Sequence, residues 1–464
     1  MHLSKVVTIA ACSFSALIAS DVMADWREFN HDAHGTRNAG QDDSCLTPQN
    51  VGKLKVKWKF ATPAQVSGTP AVAGGRVYVG DFAGNVYSLD EHTGALVWKT
   101  AAQSLVTASA LVTDDRVVIG DIAGYLYGLD RDTGSIVWQF RPSPHPLAAI
   151  WGSGVKVGRY VAYGVASNEE DAAANPQYPC CSFRGSVLMF DPEDGRVVWQ
   201  TTTISDAAAT QGASGAAVWS SPTYDEDLGL LFVTTGNNYT GNTGTSDAFI
   251  ALDAETGNVA WINQRTPNDS WNGRTPFGLG HDDFDFGDSP QVYRLSDGHK
   301  VVGAGQKSGL YHVLDAATGA VVNFQQYQVG TSLGGLLADS GVGYGMVFAP
   351  SSNWPISSTA TIGAPTTGDL IAISGDGSHE IWRFAVPQTA DVGPVAIANG
   401  VVYFSQAFSG NFYALDAFTG RPLATLAIGA GGSGPSVAEG MVFVGTGNVF
   451  SPALIPSTVT ALGL

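Results

Sequence analysis

Positive charge is scarce in this chain of 464 residues: 23 Lys and Arg stand against 41 Asp and Glu, a formal balance of −18 at pH 7. Such a surface repels a phosphate backbone instead of releasing its counterions, which argues against nucleic acid as a partner. It either maintains solubility or steers a basic redox protein toward the molecule. Charged residues of both signs make up only 14% of the chain, too few for a coiled coil or a disordered polymer. No C-x-x-C-H sequence occurs, so the chain carries no c-type haem of its own. The nitrogen and sulfur spacing of a structural zinc site is likewise missing. Beyond the N-terminus no apolar run approaches the roughly 18 residues needed to span a bilayer.

What is present begins with a leader. Lys5 precedes an apolar run from Val6 to Ile18, and Val22, Met23 and Ala24 have small-residue cleavage spacing. Residues 1–24 are therefore predicted to be a secretory signal and residues 25–464 a single exported domain, periplasmic or secreted. Lipidation at Cys12 is the rival reading, but the apolar run before it is very short. Cleavage leaves Cys45, with no evident partner and either buried or free, and the adjacent pair Cys180 and Cys181. Neighbouring Cα atoms lie about 3.8 Å apart across a trans peptide, below the usual disulfide range of about 4.4–6.8 Å, so free thiols are the plain reading of that pair.

The 57 glycines belong to a repeat. Residues 84–98 and 124–138 share one pattern, and further copies run through 185–199, 247–261, 309–323, 368–382 (degraded) and 410–424. In each, an alternating strand leads into Asp-x-x-Thr-Gly and a second strand that usually reaches a tryptophan. Asp and Thr can bond nearby backbone amides, while Gly supplies the positive φ that ends a tight turn. Another hairpin, such as residues 71–80, precedes each copy, giving four strands per unit, which is a propeller blade. Seven copies are visible. Residues 436–438, 441–445 and 458–462 lack an outer strand, and residues 54–60 have the missing pattern. Joining the ends removes open sheet edges and predicts an all-β, eight-bladed β-propeller. Trp98, Trp138, Trp199, Trp261 and Trp382 are read as packing between blades, and His31 and His34 as part of an N-terminal clasp.

Copies near either end recur at about 40 residues and central ones at about 60, so the central blades carry inserted loops. The insertions, residues 141–151, 168–183, 201–218 and 266–289, are rich in oxygen ligands together with the neighbouring loop at Gly236. They hold Asn168, Glu169, Glu170 and Asp171; Asn237 and Asn238; and His281, Asp282, Asp283, Asp285 and Asp288. Carboxylate and amide oxygens suit a hard cation such as calcium. Each cluster alone reads as a solvated loop, but in successive blades they would meet on one face.

The repeat with these insertions resembles the PQQ-dependent (quinoprotein) alcohol dehydrogenase superfamily, and residues 178–187 most resemble its polyvinyl alcohol dehydrogenase branch. The resemblance implies a propeller that binds PQQ and calcium, oxidises secondary alcohols, the repeating units of polyvinyl alcohol among them, and passes electrons to a separate cytochrome c. Carried over by position, it makes Glu169, Asn237 and Asp285 metal ligands and Asp285 the catalytic base. Phe284 stands where the family usually has Trp, which leaves Asp282 and Asp283 as alternatives for that role. The resemblance makes Lys307 the contact to the quinone oxygens, Trp219 the floor beneath the cofactor, and Asn353 and Trp354 further contacts. It also implies a vicinal Cys180–Cys181 disulfide over the opposite face of the cofactor. The competing reading is a non-catalytic scaffold of the outer-membrane assembly type, which shares the repeat, and a propeller that has lost activity and serves as a sensor comes last.

Overall fold

The computed structural model describes residues 25–40, 45–275, 283–353, 367–387, 392–447, 451 and 453–464. The predicted leader lies outside them. Eight antiparallel sheets are arranged as blades, seven of four strands and one, the third, of five because Ala148–Ala149 adds a short strand to it, and the first strands of neighbouring blades pack against each other around the axis. Blade 1 comprises Ala71–Ala73, Arg76–Gly80, Asn85–Asp90 and Leu96–Ala101. Blade 8 takes Ser436–Ala438, Met441–Gly445 and Ser457–Gly463 from the C-terminus and Lys55–Thr62 from the N-terminus. Lys55 pairs with Gly463 and Thr62 with Ser457, with one bulge between Val56 and Trp58. The predicted closure is therefore the observed one.

The turn of the repeat shows why its residues recur. Asp90 accepts hydrogen bonds from the amide (2.8 Å) and hydroxyl (2.7 Å) of Thr93, and Gly94 has φ +67°. The same bonds join Asp130 to Thr133, Asp253 to Thr256 and Asp315 to Thr318. The outer-strand tryptophan of one blade then docks on the turn of the next. Trp98 Nε1 donates to the Arg131 carbonyl at 3.0 Å, and a Cβ on Gly134 would lie 2.5 Å from the indole. Trp58, Trp138, Trp199, Trp261 and Trp382 donate in the same way to the carbonyls of Glu91, Pro192, Ala254, Ala316 and Ala417. One glycine thus both closes its own turn and makes room for the neighbouring ring. The tryptophans do pack between blades; truncating such a ring to alanine costs about 3–5 kcal/mol.

Residues 25–40 form an arm that visits the first strands in order. Trp26 pairs with Val72, the Arg27 carbonyl accepts from Val112, and Glu28 Oε2 accepts from the Lys156 amide. The carbonyls of Ala33, His34, Thr36 and Arg37 then accept from Tyr224, Val292, Val342 and Ile397. The clasp that contains His31 and His34 thus spans seven blades. Its pin is the fully buried Arg37, which donates to Val395 O (2.5 Å), Phe29 O (2.6 Å), Thr69 Oγ1 (3.1 Å) and Pro435 O (3.5 Å). Three of these acceptors lie just ahead of the first strands of blades 7, 1 and 8. Burial pushes the guanidinium down to about 10, against the pull of Asp339 and Asp288, so it stays charged at neutral pH. Cys45, expected to be buried or free, is disulfide-bonded.

Arg37→Met would strand the surrounding acceptors and acids without their cation, and a loss of about 3–5 kcal/mol is expected in denaturant unfolding. Glu28 gives a pH signature. Burial pushes its carboxyl from 4.5 up to about 8, so the folded chain retains a proton that the unfolded chain has released. Its stabilising contribution is complete below about pH 4.5 and is lost as pH climbs through about 8. Glu28→Gln should match the parent melting temperature near pH 5 and exceed it near pH 8.5.

Candidate active site

At the end of the ring away from the arm, the loops that follow the second strands of blades 3, 4 and 5 come together. Tyr160–Ser167 leads into a short helix, Glu169–Ala172; Leu230–Thr234 leads to Gly236 and Asn237; Lys300–Gly305 leads to Gln306 and Lys307. Residues 273 and 274 reach back to the insertion of residues 168–183. Gly273 N donates to the Glu170 carbonyl at 3.0 Å, and Arg274 Nε to the Ala173 carbonyl at 3.0 Å. These loops bound a cavity of about 300 Å³, lined among others by Glu170, Trp219, Asn237, Tyr239, Asp285 and Lys307. A second groove, against the arm, is bordered by Glu28, His31, Lys156 and Tyr224 and has no comparable convergence of acids.

Geometry assigns the side chains distinct tasks. Asp285 Oδ1 accepts from the Asn237 amide at 2.8 Å, while its Oδ2 lies 3.4 Å from Lys307 Nζ. Lys307 also donates to both oxygens of Asp283, at 3.0 and 3.1 Å, and its ammonium lies 5.6 Å from the Trp219 ring centroid. A Cβ on Gly236 would sit 3.1 Å from Asp285 Oδ2 and 3.2 Å from Trp219 Nε1, so glycine keeps the space between them open. Asn237 is locked by its Nδ2, which donates to the carbonyls of Asn238 (3.0 Å) and Trp271 (2.8 Å).

Five carboxyls, those of Glu170, Asp247, Asp269, Asp283 and Asp285, act on this one lysine or on each other. Burial, with Asp285 and Asp283, holds Glu170 well above the ordinary carboxylate range, and burial with Asp269 does the same to Asp247. Burial also raises Asp283 despite its bond to Lys307. Burial alone would lower Lys307, but Asp283, Asp285 and Glu170 outweigh it and raise the ammonium. So concentrated an excess of acid favours a further cation. Glu170 Oε1 and Asn237 Oδ1, on residues lining the cavity, are buried without a hydrogen-bond partner. Orphaned buried oxygens of this kind fit a hard, oxygen-binding ion such as calcium.

The structure brings Trp219, Asn237, Asp285 and Lys307 together. Glu169 is fully buried behind the wall, where its carboxylate accepts from the amides of Ser182 (2.9 and 3.0 Å) and Phe183 (2.7 Å) and from the Tyr178 hydroxyl (2.9 Å). Its neighbour Glu170 faces the cavity instead, because consecutive residues of a helix point about 100° apart. Cys180 and Cys181 are joined by a disulfide across a cis peptide bond. Cys181 packs against the cluster holding Phe183 and Tyr239, which Trp219 also contacts, although neither cysteine lines the cavity. Asn353 ends the strand Met346–Asn353 and is not among the residues lining the cavity. Trp354, His281 and Asp282 fall outside the described residues. Sequence reasoning did not single out Tyr239, Asp247 or Asp269, for which no motif signals a role.

The model of the family described as outer membrane protein assembly factor BamB matches residues 53–322 and 366–455. The chain belongs to that family. A polyvinyl alcohol dehydrogenase from a Pseudomonas species is 29% identical over 88% of this chain and 71% of its own length. Among solved structures, quinohemoprotein alcohol dehydrogenase ADHIIG of Pseudomonas putida HK5 superposes with TM-score 0.79 at 19% identity, covering 96% of this chain and 81% of that one. BamB of Moraxella catarrhalis superposes at 0.60 and 14% identity, over 89% and 100%. The resemblance drawn from the repeat and its insertions, to quinoprotein alcohol dehydrogenases, is borne out.

The two adjacent glutamates should respond oppositely to neutralisation in metal-free protein. Glu170→Gln relieves buried like-charge repulsion and should raise the melting temperature. Glu169→Gln weakens the anchor of residues 182–183, costing about 1–3 kcal/mol, and should lower it.

Proposed function

We propose that this chain is an alcohol dehydrogenase that binds PQQ and a calcium ion, oxidises secondary alcohols including the units of polyvinyl alcohol, and delivers electrons to a separate cytochrome c. The observation that carries this reading is the pair of orphaned oxygens, Glu170 Oε1 and Asn237 Oδ1, beside Asp285 and Lys307 in one cavity. We place the protein in the periplasm or outside the cell, on the reading of residues 1–24 as a leader. No helix among the described residues is long and apolar enough to cross a membrane.

In this reading Glu170, Asn237 Oδ1 and Asp285 hold the ion, with Glu170 taking the place that the motif alone gives to Glu169. Trp219 offers a flat apolar surface and Lys307 a fixed cation, both suited to a planar anionic quinone. A quinone held there would supply the hydride acceptor, with its carbonyl polarised by the ion. Asp285, oriented through Oδ1 by the Asn237 amide, has Oδ2 toward Lys307 and the space above Gly236. From there it takes the hydroxyl proton as the carbon loses hydride. The Cys180–Cys181 loop, held by Glu169, packs with Trp219 against the same apolar cluster and would shield a quinone bound in this cavity.

The scaffold reading shares the family model and needs neither cofactor nor acid cluster; the orphaned oxygens favour the enzyme. Purified protein supplied with PQQ and calcium should reduce an artificial dye with polyvinyl alcohol or small secondary alcohols. Asp285→Asn should retain PQQ yet lose roughly 10²–10⁴-fold in rate. A full rate in that variant refutes the assigned base, and a parent protein that neither binds PQQ nor reduces dye supports the scaffold.

A further inference from the structure

A second group of ligand-type side chains lies where the ring is sewn shut. Glu91 occupies the turn between Asn85–Asp90 and Leu96–Ala101 of blade 1, and Glu439 the turn between Ser436–Ala438 and Met441–Gly445 of blade 8. A carboxylate oxygen from each and a ring nitrogen of His92 all lie within 4.8 Å of one another. The repeat shows how unusual this is. The residue whose carbonyl receives the neighbouring tryptophan is Ala254, Ala316 and Ala417 in three later blades, Pro192 in a fourth and Arg131 in blade 2, but an acid, Glu91, at this seam alone among these six.

Glu91 is fully buried, and its carboxyl faces that of Glu439 with no cationic or neutral side-chain donor on either of its oxygens. The charges acting on it, from Glu439, Asp25 and Asp90, are all negative. An acid set where three other blades use alanine, buried, and facing a second carboxyl among like charges, is costly unless a cation joins it. Glu439 itself holds φ +49°, a conformation uncommon for a residue with a side chain.

We propose that Glu91, Glu439 and His92 form a binding site for a divalent transition-metal ion, zinc, that staples blade 1 to blade 8. Two carboxylate oxygens and one imidazole nitrogen match the ligand preferences of zinc, whereas calcium takes oxygen alone. His92 is exposed, which leaves a coordination position to water. The staple ties Glu439, from the C-terminal part of blade 8, to the Glu91 turn of blade 1, on which Trp58 from the N-terminal strand of blade 8 also docks. The site is separate from the cavity and does not depend on the proposed reaction.

The test uses the whole protein, stripped of transition metals, kept in excess calcium and then given zinc. After gel filtration, elemental analysis should find one zinc per chain in the parent and in Glu170→Gln. It should find none in Glu91→Ala, His92→Gln or Glu439→Gln. Zinc should also raise the melting temperature of the parent and leave those three variants unmoved. Glu91→Ala installs the residue that other blades carry, so it is expected to fold. A parent that retains no zinc, zinc retained equally by all three variants, or zinc lost only in Glu170→Gln would each overturn the proposal. A metal-free Glu91→Ala more stable than a parent that keeps no zinc would identify a proton-sharing carboxyl pair instead.

Discussion

The pairing of Lys55–Thr62 with Ser457–Gly463 governs the rest of the molecule. Each blade is a small twisted sheet with one face toward each neighbour, and only a closed ring gives every face a partner and leaves no terminal blade exposed. Closure also fixes where loops point. Glu170, Asn237 and Lys307 are far apart in the chain, yet three successive second strands end at the same rim and bring them to one cavity, which Asp285 enters from the insertion ahead of blade 5. The chain thereby spends its longest covalent separation on its ends, and the order of the blades does the remaining work of assembly.

Much of this ring was legible in the residues because the repeat is a local device. Asp, Thr and Gly act within a single turn, and the tryptophan that follows acts on the turn of the next blade, so the pattern survives wherever the geometry does. The arm was less legible. It holds seven blades mainly through backbone carbonyls, which any residue possesses, and nothing in the sequence around Arg37 distinguishes a buried axial pin from a surface arginine.

The cavity was legible in its chemistry and less so in its register. The run Asn168, Glu169, Glu170, Asp171 announces oxygen ligands, but which carboxylate faces inward is decided by the phase of a four-residue helix and by the amides of Ser182 and Phe183, which claim Glu169. Asp247 and Asp269 belong to no motif, and only the folded loops show that they share an environment with Asp283 and Asp285. The disulfide of Cys180 and Cys181 runs against the plain geometric reading of neighbouring cysteines and agrees with the resemblance.

The arm has a topological consequence. Because Arg37 and its flanking residues stopper the axis at one end, the ring is a cup and not a tube. Whatever reaches the bottom of the cup must leave by the mouth through which it came. A long chain molecule therefore cannot be threaded through the hole; it must dip one segment at a time over the rim, and each visit must end before the next begins.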